Sequence, residues 1–201
     1  MKKISFLLFI ISLYATALSA GALTEYRNSQ LELLLSKERI QSAVQATAKQ
    51  LNQQYADKEV TLIVVMKGAL CTAADLIREL DFPVNIECIK ASSYGMSGKT
   101  SGTLKVADLD KLDLEGKEVL LVDDIFDTGK TLERLTEQIK AKQPKSFRSL
   151  VLLRKNVPHV TSLQPDYVLF DIDNLFVVGY GMDYKEQFRG LSGIYVLTPG
   201  W

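Results

Sequence analysis

Apolar residues fall in helical stripes and in short runs that alternate along the chain. Ile40, Val44, Ala48, Leu51 and Tyr55 recur at three-to-four spacing, behind Ser36, which can cap a helix, and Glu38 in the first turn. That spacing predicts an amphipathic helix reaching about Tyr55. Ala56-Asp57-Lys58 breaks the stripe, and Val60 to Met66 is a β-branched apolar run, hence a strand. Lys67-Gly68-Ala69 makes a tight turn, and Leu70 to Leu80 is the expected returning helix. Pro83 stops helical continuation, and Val84 to Ala91 reads as the next strand. Val119 to Val122 is a buried parallel strand, too short for a helix. Leu132, Leu135 and Ile139 share one face of a helix starting near Thr131, with Pro144 after its end. Ser149 to Leu153, Tyr167 to Phe170 and Ile194 to Leu197 are further strands, and Phe176-Val177-Val178 leads into Gly179-Tyr180-Gly181. Alternating strands and helices predict an α/β fold, a doubly wound, mainly parallel sheet flanked by helices with right-handed crossovers.

One segment departs from the alternation. Residues 92–103 hold three glycines, four serines and two threonines, with Tyr94 and Met96 as large apolar residues. So polar a stretch buries little and is expected to be a mobile loop or lid. Leu104 to Ala107 would then return as the second arm of a hairpin.

Composition narrows the class. A chain of 201 residues with 47% apolar content suits one domain with a sizeable core. Lys plus Arg equals Asp plus Glu at 24 each, so bulk charge gives no reason to expect nucleic-acid binding. Cys71 and Cys88 are too few for a disulfide framework, and with His159 as the sole histidine no zinc-ligand spacing exists. Residues 1–22 are different in kind: Lys2 and Lys3, the apolar run Ile4 to Leu18, then Ser19-Ala20-Gly21-Ala22. This is the layout of a secretory signal and is short for a membrane span. The folded domain is therefore expected over residues 23–201, with no membrane contact in the mature form. Whether the extension is a cleaved signal, an anchor or an early start codon stays open at this level.

The chemistry concentrates in Val119 to Leu132. Asp123 and Asp124 follow the apolar strand where its carboxyl end should emerge, and ligands of open α/β sheets bind at that edge. Asp127-Thr128-Gly129-Lys130-Thr131 is a hydroxyl-rich turn into a helix, able to aim N–H groups and hydroxyls at one anion. Gly129-Lys130-Thr131 spells the end of a P-loop, but the required earlier glycine is replaced by Asp124, whose charge would repel a triphosphate. The acids need sugar hydroxyls, a metal or a proton instead. An anion cradle beside paired acids points to a phosphorylated sugar. Lys67, Asp127 and Lys155 also fall at strand carboxyl ends. Any one of these charges alone is more often a solvated loop charge, but five at equivalent ends favour one shared crevice. Asp183 and Arg189 lie in the aromatic-rich stretch Tyr180 to Arg189, to which periodicity assigns no role.

The whole run Val119 to Leu132 resembles the phosphoribosyl-pyrophosphate signature of the type I phosphoribosyltransferases. Over about residues 30–197 the chain is most similar to the hypoxanthine-guanine branch. The residues that carry this are Met66-Lys67-Gly68-Ala69, Ser93-Tyr94, Lys155, Phe176 to Tyr184, and Phe188-Arg189. The resemblance implies the type I phosphoribosyltransferase fold with a small hood near the C-terminus and a flexible hairpin loop. It implies transfer of the 5-phosphoribosyl group from phosphoribosyl pyrophosphate to N9 of hypoxanthine or guanine, giving IMP or GMP and pyrophosphate.

It also implies roles. Asp127, Thr128, Gly129, Lys130 and Thr131 would cradle the 5′-phosphate, and Asp123 and Asp124 would orient the ribose hydroxyls and the Mg²⁺ shell. Lys67, Gly68 and Arg189 would bind pyrophosphate, with a cis peptide between Met66 and Lys67, and Asp183, beside the purine, would hold a second Mg²⁺. Phe176 would stack on the purine, Val177 would bond its edge through the backbone, and Lys155 would donate to O6. Asp127 would exchange the N7 proton, and Ser93 and Tyr94 would ride the loop over the site. A cytoplasmic homodimer or homotetramer is the form implied, with export the alternative if residues 1–22 are a working signal. Departures are few: Met66 where leucine is common, Ala69 where a second glycine is common, and Asp-Asp where Glu-Asp is common. Two other readings of the same residues are a nucleotide-binding regulatory protein and a xanthine-preferring enzyme.

Overall fold

A computed structural model describes residues 30–93 and 104–198. Residues 1–22, Tyr94 and most of the 92–103 loop therefore lie outside the described residues. The chain runs β1 (Gln30–Leu35), α1 (Lys37–Gln54), β2 (Val60–Met66), α2 (Leu70–Leu76), β3 (Val84–Ser93), β4 (Leu104–Ala107), β5 (Glu118–Phe126), α3 (Lys130–Lys140), β6 (Ser146–Lys155), β7 (Tyr167–Ile172), β8 (Val177–Val178) and β9 (Ile194–Thr198). Among the described residues one sheet has the order β4-β3-β2-β5-β6-β7 and a smaller one the order β1-β9-β8. Every pairing in the larger sheet is parallel except β3 with β4, which run antiparallel from Lys90 opposite Ala107 to Ser93 opposite Leu104. The expected hairpin arms are therefore present.

Two cores sandwich the large sheet because side chains alternate across a strand. Leu62 and Val64 of β2 and Leu120 and Val122 of β5 meet α1 and α2 through Ile40, Val44, Leu51 and Leu76. Ile63, Val65, Val119 and Leu121 meet α3 on the other face through Leu132, Leu135 and Ile139. Burial on both faces explains why these strands read as unbroken apolar runs. Ser36 caps α1, its hydroxyl accepting from the Arg39 N–H at 3.4 Å.

The helix expected over Leu70 to Leu80 is shorter: α2 stops at Leu76, and Ile77–Glu79 form a 3-10 turn. Asn52 of α1 supplies the reason. Its side-chain amide donates to the Glu79 carbonyl at 3.0 Å and accepts from the Asp81 N–H at 3.0 Å, pairing a carbonyl to which Pro83, four residues on, has no N–H to offer. β1 had no counterpart in the hydrophobic pattern, because it pairs with β9 outside the main sheet and leaves Leu33 54% exposed. With β8 it builds the hood, whose own small core is Val178, Phe188 and Leu197. The Tyr180 hydroxyl ties the hood to α2, donating to Asp75 at 2.7 Å.

At the far end of the sheet from the hood, Glu118 opens β5 with its side chain buried. The Ser146 hydroxyl and, second, Lys145 hold its carboxyl below the usual glutamate value. A lowered folded value contributes stability above the unfolded one, about 4.3, and that contribution is lost as the pH falls through the folded one. Glu118→Gln is expected to lower stability by about 1 kcal/mol at pH 7. Thermal denaturation of parent and variant should show the gap closing toward pH 3; a gap that is constant with pH would remove the carboxylate from the account.

Candidate active site

The pairing of β2 with β5 ends at Val64 opposite Val122, while β5 continues beside β6 as far as Phe126. Chain order reverses direction at this point, with β3 to one side and β6 to the other, and the sheet opens into a crevice. Asp123 and Asp124 were expected beyond the strand. They lie inside it, because β6 extends the ladder under them. A cavity of about 400 Å³ fills the crevice, lined by Lys67, Gly68, Asp123, Asp124, Thr131, Asp183 and Arg189. Lys90 and Ala91 of β3 line it as well. Lys90 was missed although it stands opposite Met66 at a strand's carboxyl end, the same rule that singled out Lys67.

The loop from β2 to α2 is fitted tightly. The Met66–Lys67 peptide is cis. A Cβ on Gly68 would fall on the Asp124 carboxyl, and one on Gly181 (φ +99°) would fall on the Gly68 carbonyl. Gly68 is thus held between the acid pair and the hood, where no side chain fits.

Asp123 is 5% exposed and accepts from the Asp124 N–H at 2.9 Å, while Asp124 accepts from the Ile125 N–H at 2.9 Å. Burial, then the neighbouring Asp124 charge, pushes the Asp123 carboxyl well above the ordinary aspartate value. Burial also raises Asp124, against hydrogen bonds with Asp123 and Ile125 and the charge of Arg189. Two adjacent, desolvated carboxyls are the environment that a hard cation or a pair of hydroxyls relieves. Among the described residues no cluster of three or more His, Cys, Asp or Glu forms a protein-only metal cage. Mg²⁺ does not require one, since it takes one or two carboxylates plus phosphates and water, so this donor set fits it.

Across the cavity Arg189 is clamped by Asp183 at 2.6 Å and donates to the Gly181 carbonyl at 2.8 Å. Lys67 reaches Glu186 at 2.9 Å, and Glu186 also accepts from Arg189 at 3.2 Å. Glu186 escaped the sequence reading because the 180–189 stretch has no period that would mark it.

Asp127 and Lys155 form a second centre outside that lining, 3.2 Å apart at the ends of the adjacent strands β5 and β6. The Lys155 side chain is only 13% exposed. Gly129 adopts φ +88° to start α3, whose first turn has no side-chain cap. Uncapped N–H groups and the exposed Thr128 and Lys130 are what an anion cradle needs. The loop after β6 walls this turn: the Val160 N–H donates to the Thr128 carbonyl at 3.0 Å, and a Cβ on Gly129 would strike Thr161.

Phe176 is 51% exposed, its ring set edge-on to Tyr184 at 5.7 Å. The Leu197 N–H donates to the Phe176 carbonyl at 3.0 Å. Bonding direction alternates along a strand, so Val177 turns its N–H and carbonyl toward the open edge of β8 while its side chain stays buried. Ser93 ends β3, its backbone paired with Leu104.

The family model for the phosphoribosyl transferase domain matches residues 30–185. The hypoxanthine-guanine phosphoribosyltransferase of Aquifex aeolicus is 41% identical over 86% of this chain and 98% of its own. That of Bacillus subtilis is 38% identical over 84% of this chain and 93% of its own. The solved hypoxanthine phosphoribosyltransferase of Trypanosoma cruzi, in complex with the product IMP, superposes with a TM-score of 0.77. It is 34% identical and covers 87% of this chain and 97% of its own.

Proposed function

The chain belongs to the phosphoribosyltransferase family, among the hypoxanthine-guanine enzymes, and from that premise we propose how its residues move a 5-phosphoribosyl group from phosphoribosyl pyrophosphate to N9 of hypoxanthine or guanine in purine salvage. The observation that carries the reading is the joining, at one sheet edge, of Lys67, the acid pair, Asp183 and Arg189 in one cavity, beside the uncapped turn and the Asp127–Lys155 pair.

Residues 127–131 receive the 5′-phosphate through N–H groups and hydroxyls. Asp123 and Asp124 take the ribose hydroxyls, and Lys67, the Gly68 backbone and Arg189 take the pyrophosphate, a guanidinium suiting bidentate phosphate contact. The bond from C1′ to pyrophosphate oxygen breaks with its electron pair leaving on pyrophosphate, and the N9 lone pair forms the new bond to C1′. The positive charge that develops on the sugar is met by the buried acids beside it. Asp127 accepts the proton that N7 must lose. Phe176 stacks on the base, Val177 bonds its edge, and Lys155 donates to O6, which an amino group at that position cannot accept. Mg²⁺, held by Asp123 and Asp124 and by Asp183, would neutralise the pyrophosphate leaving group.

An intracellular cosubstrate supports action in the cytoplasm, and among the described residues no helix is long and apolar enough to cross a membrane. Exposed Leu70 and Ile86 offer apolar surface for a homodimer or homotetramer.

The test is direct. The full chain with phosphoribosyl pyrophosphate and Mg²⁺ should yield IMP from hypoxanthine and GMP from guanine, and no nucleotide from adenine. No nucleotide from either oxopurine overturns the reading. Lys155→Gln should raise KM for hypoxanthine roughly tenfold and weaken rejection of adenine, because a buried charged donor is lost. Steady-state kinetics with both bases decides it; unchanged selectivity would make Lys155 a partner of Asp127 and nothing more.

A further inference from the structure

Glu186 has no part in the chemistry above, yet it pairs with both cations assigned to pyrophosphate. Its carboxylate accepts from Lys67 Nζ through both oxygens, at 3.0 and 2.9 Å, and from Arg189 Nη2 at 3.2 Å. Lys67 and Arg189 are distant in the sequence and converge on one oxygen, Glu186 Oε2. The backbone is bent to put it there. Lys185 (φ +50°) and Glu186 (φ +63°) are consecutive left-handed residues, neither of them glycine, in a turn closed by Tyr184 and Gln187 bonding each other's backbone. The Glu186 N–H donates to Asp183 at 2.8 Å, which fixes the turn to the residue that also clamps Arg189. Left-handed conformers are disfavoured for such side chains, so the turn is held by its contacts.

We propose that Glu186 is a resident stand-in for the leaving group, a carboxylate that neutralises Lys67 and Arg189 before substrate arrives and that the diphosphate must displace. The inference rests on the functional reading above, since it takes those two cations as the pyrophosphate binders. The exchange is feasible because the Lys67–Glu186 pair is exposed, with side chains 53% and 67% accessible, and exposed ion pairs are weak. Arg189 keeps its place when Glu186 leaves, because Asp183 and the Gly181 carbonyl still hold it. Two functional effects follow. The subsite binds a multiply charged diphosphate but gives little to a monoanion, which gains no more than Glu186 already supplies. Product pyrophosphate is also bound less tightly than two bare cations would bind it, and the returning carboxylate helps it leave.

The experiment uses the full chain with Mg²⁺ and compares parent, Glu186→Gln and Glu186→Gly. Glutamine keeps the shape and removes the charge; glycine suits the left-handed backbone and removes the carboxylate altogether. Pyrophosphate affinity is read by calorimetric titration and KM for phosphoribosyl pyrophosphate by initial rates. Both should improve roughly three- to tenfold in each variant, the range an exposed ion pair allows, with KM for hypoxanthine unmoved. Unchanged or weaker pyrophosphate binding in either folded variant overturns the inference and makes Glu186 a positioning residue. A parent protein that forms no IMP overturns this inference together with the functional reading. A parent that forms IMP, with variants unchanged in pyrophosphate affinity, overturns this inference alone.

Discussion

Asp127→Asn is expected to lower kcat by roughly 10²–10⁴-fold while leaving the protein folded and able to bind phosphoribosyl pyrophosphate. Asparagine keeps an acceptor oxygen and nearly the same shape, so any bond by which Asp127 shapes the turn survives. What it cannot do is take a proton. The side chain is partly exposed and faces Lys155 at 3.2 Å, so losing the charge should change stability by about 1 kcal/mol or less. Single-turnover rates, which exclude product release, together with thermal denaturation separate the two roles. A folded variant with a normal single-turnover rate would leave residues 127–131 as a phosphate cradle only.

Gly68→Ala should be nearly as damaging for a different reason. The new methyl would overlap the Asp124 carboxyl, which is held from the other side by the Ile125 N–H. Gly68 cannot retreat toward the hood, because its carbonyl already lies where a Cβ on Gly181 would go. Either the acid or the loop must move by an ångström or more, and displacement of that size at a reacting centre costs on the order of 10²-fold in rate. Loss should appear in kcat/KM for phosphoribosyl pyrophosphate, with the far-ultraviolet circular dichroism unchanged. Retained activity would mean that the loop and the acid pair are not coupled. By contrast Ala69 is fully buried at the start of α2 and already accommodates its methyl.

The hydrophobic pattern carried the layers of the fold well. Val60–Met66 is a strand over the range expected, and the stripe from Ile40 to Leu51 is the buried face of α1. Such segments are legible because burial against both faces of a parallel sheet demands unbroken apolar runs. The errors lie where long-range contacts override local preference. Asp123 and Asp124 look like the end of a strand, yet β6 carries the ladder beneath them to Phe126. α2 ends early where Pro83 leaves the Glu79 carbonyl without a helical donor and Asn52, 27 residues before Glu79, supplies one. Within the site, residues at strand ends were legible, Lys90 excepted, and those on the hood were not. Lys67, Asp127 and Lys155 followed from the strand-end rule alone. Asp183 and Arg189 needed the family resemblance, and Glu186 is visible only in the fold, since the turn that aims it depends on left-handed residues of types that do not announce it.

The small sheet sets the order in which the protein becomes an enzyme. Among the described residues β1, at residues 30–35, finds its partner only in β9, at residues 194–198, and β8 joins the sheet through that same strand. During synthesis the large sheet and residues 127–131 can form while Phe176, Asp183 and Arg189 still lack the strand that completes the hood. A chain released before Ile194 would carry the turn at residues 127–131 beside a hood whose β1 and β8 have nothing to join them. Among the described residues β9 is thus the strand whose arrival completes the small sheet.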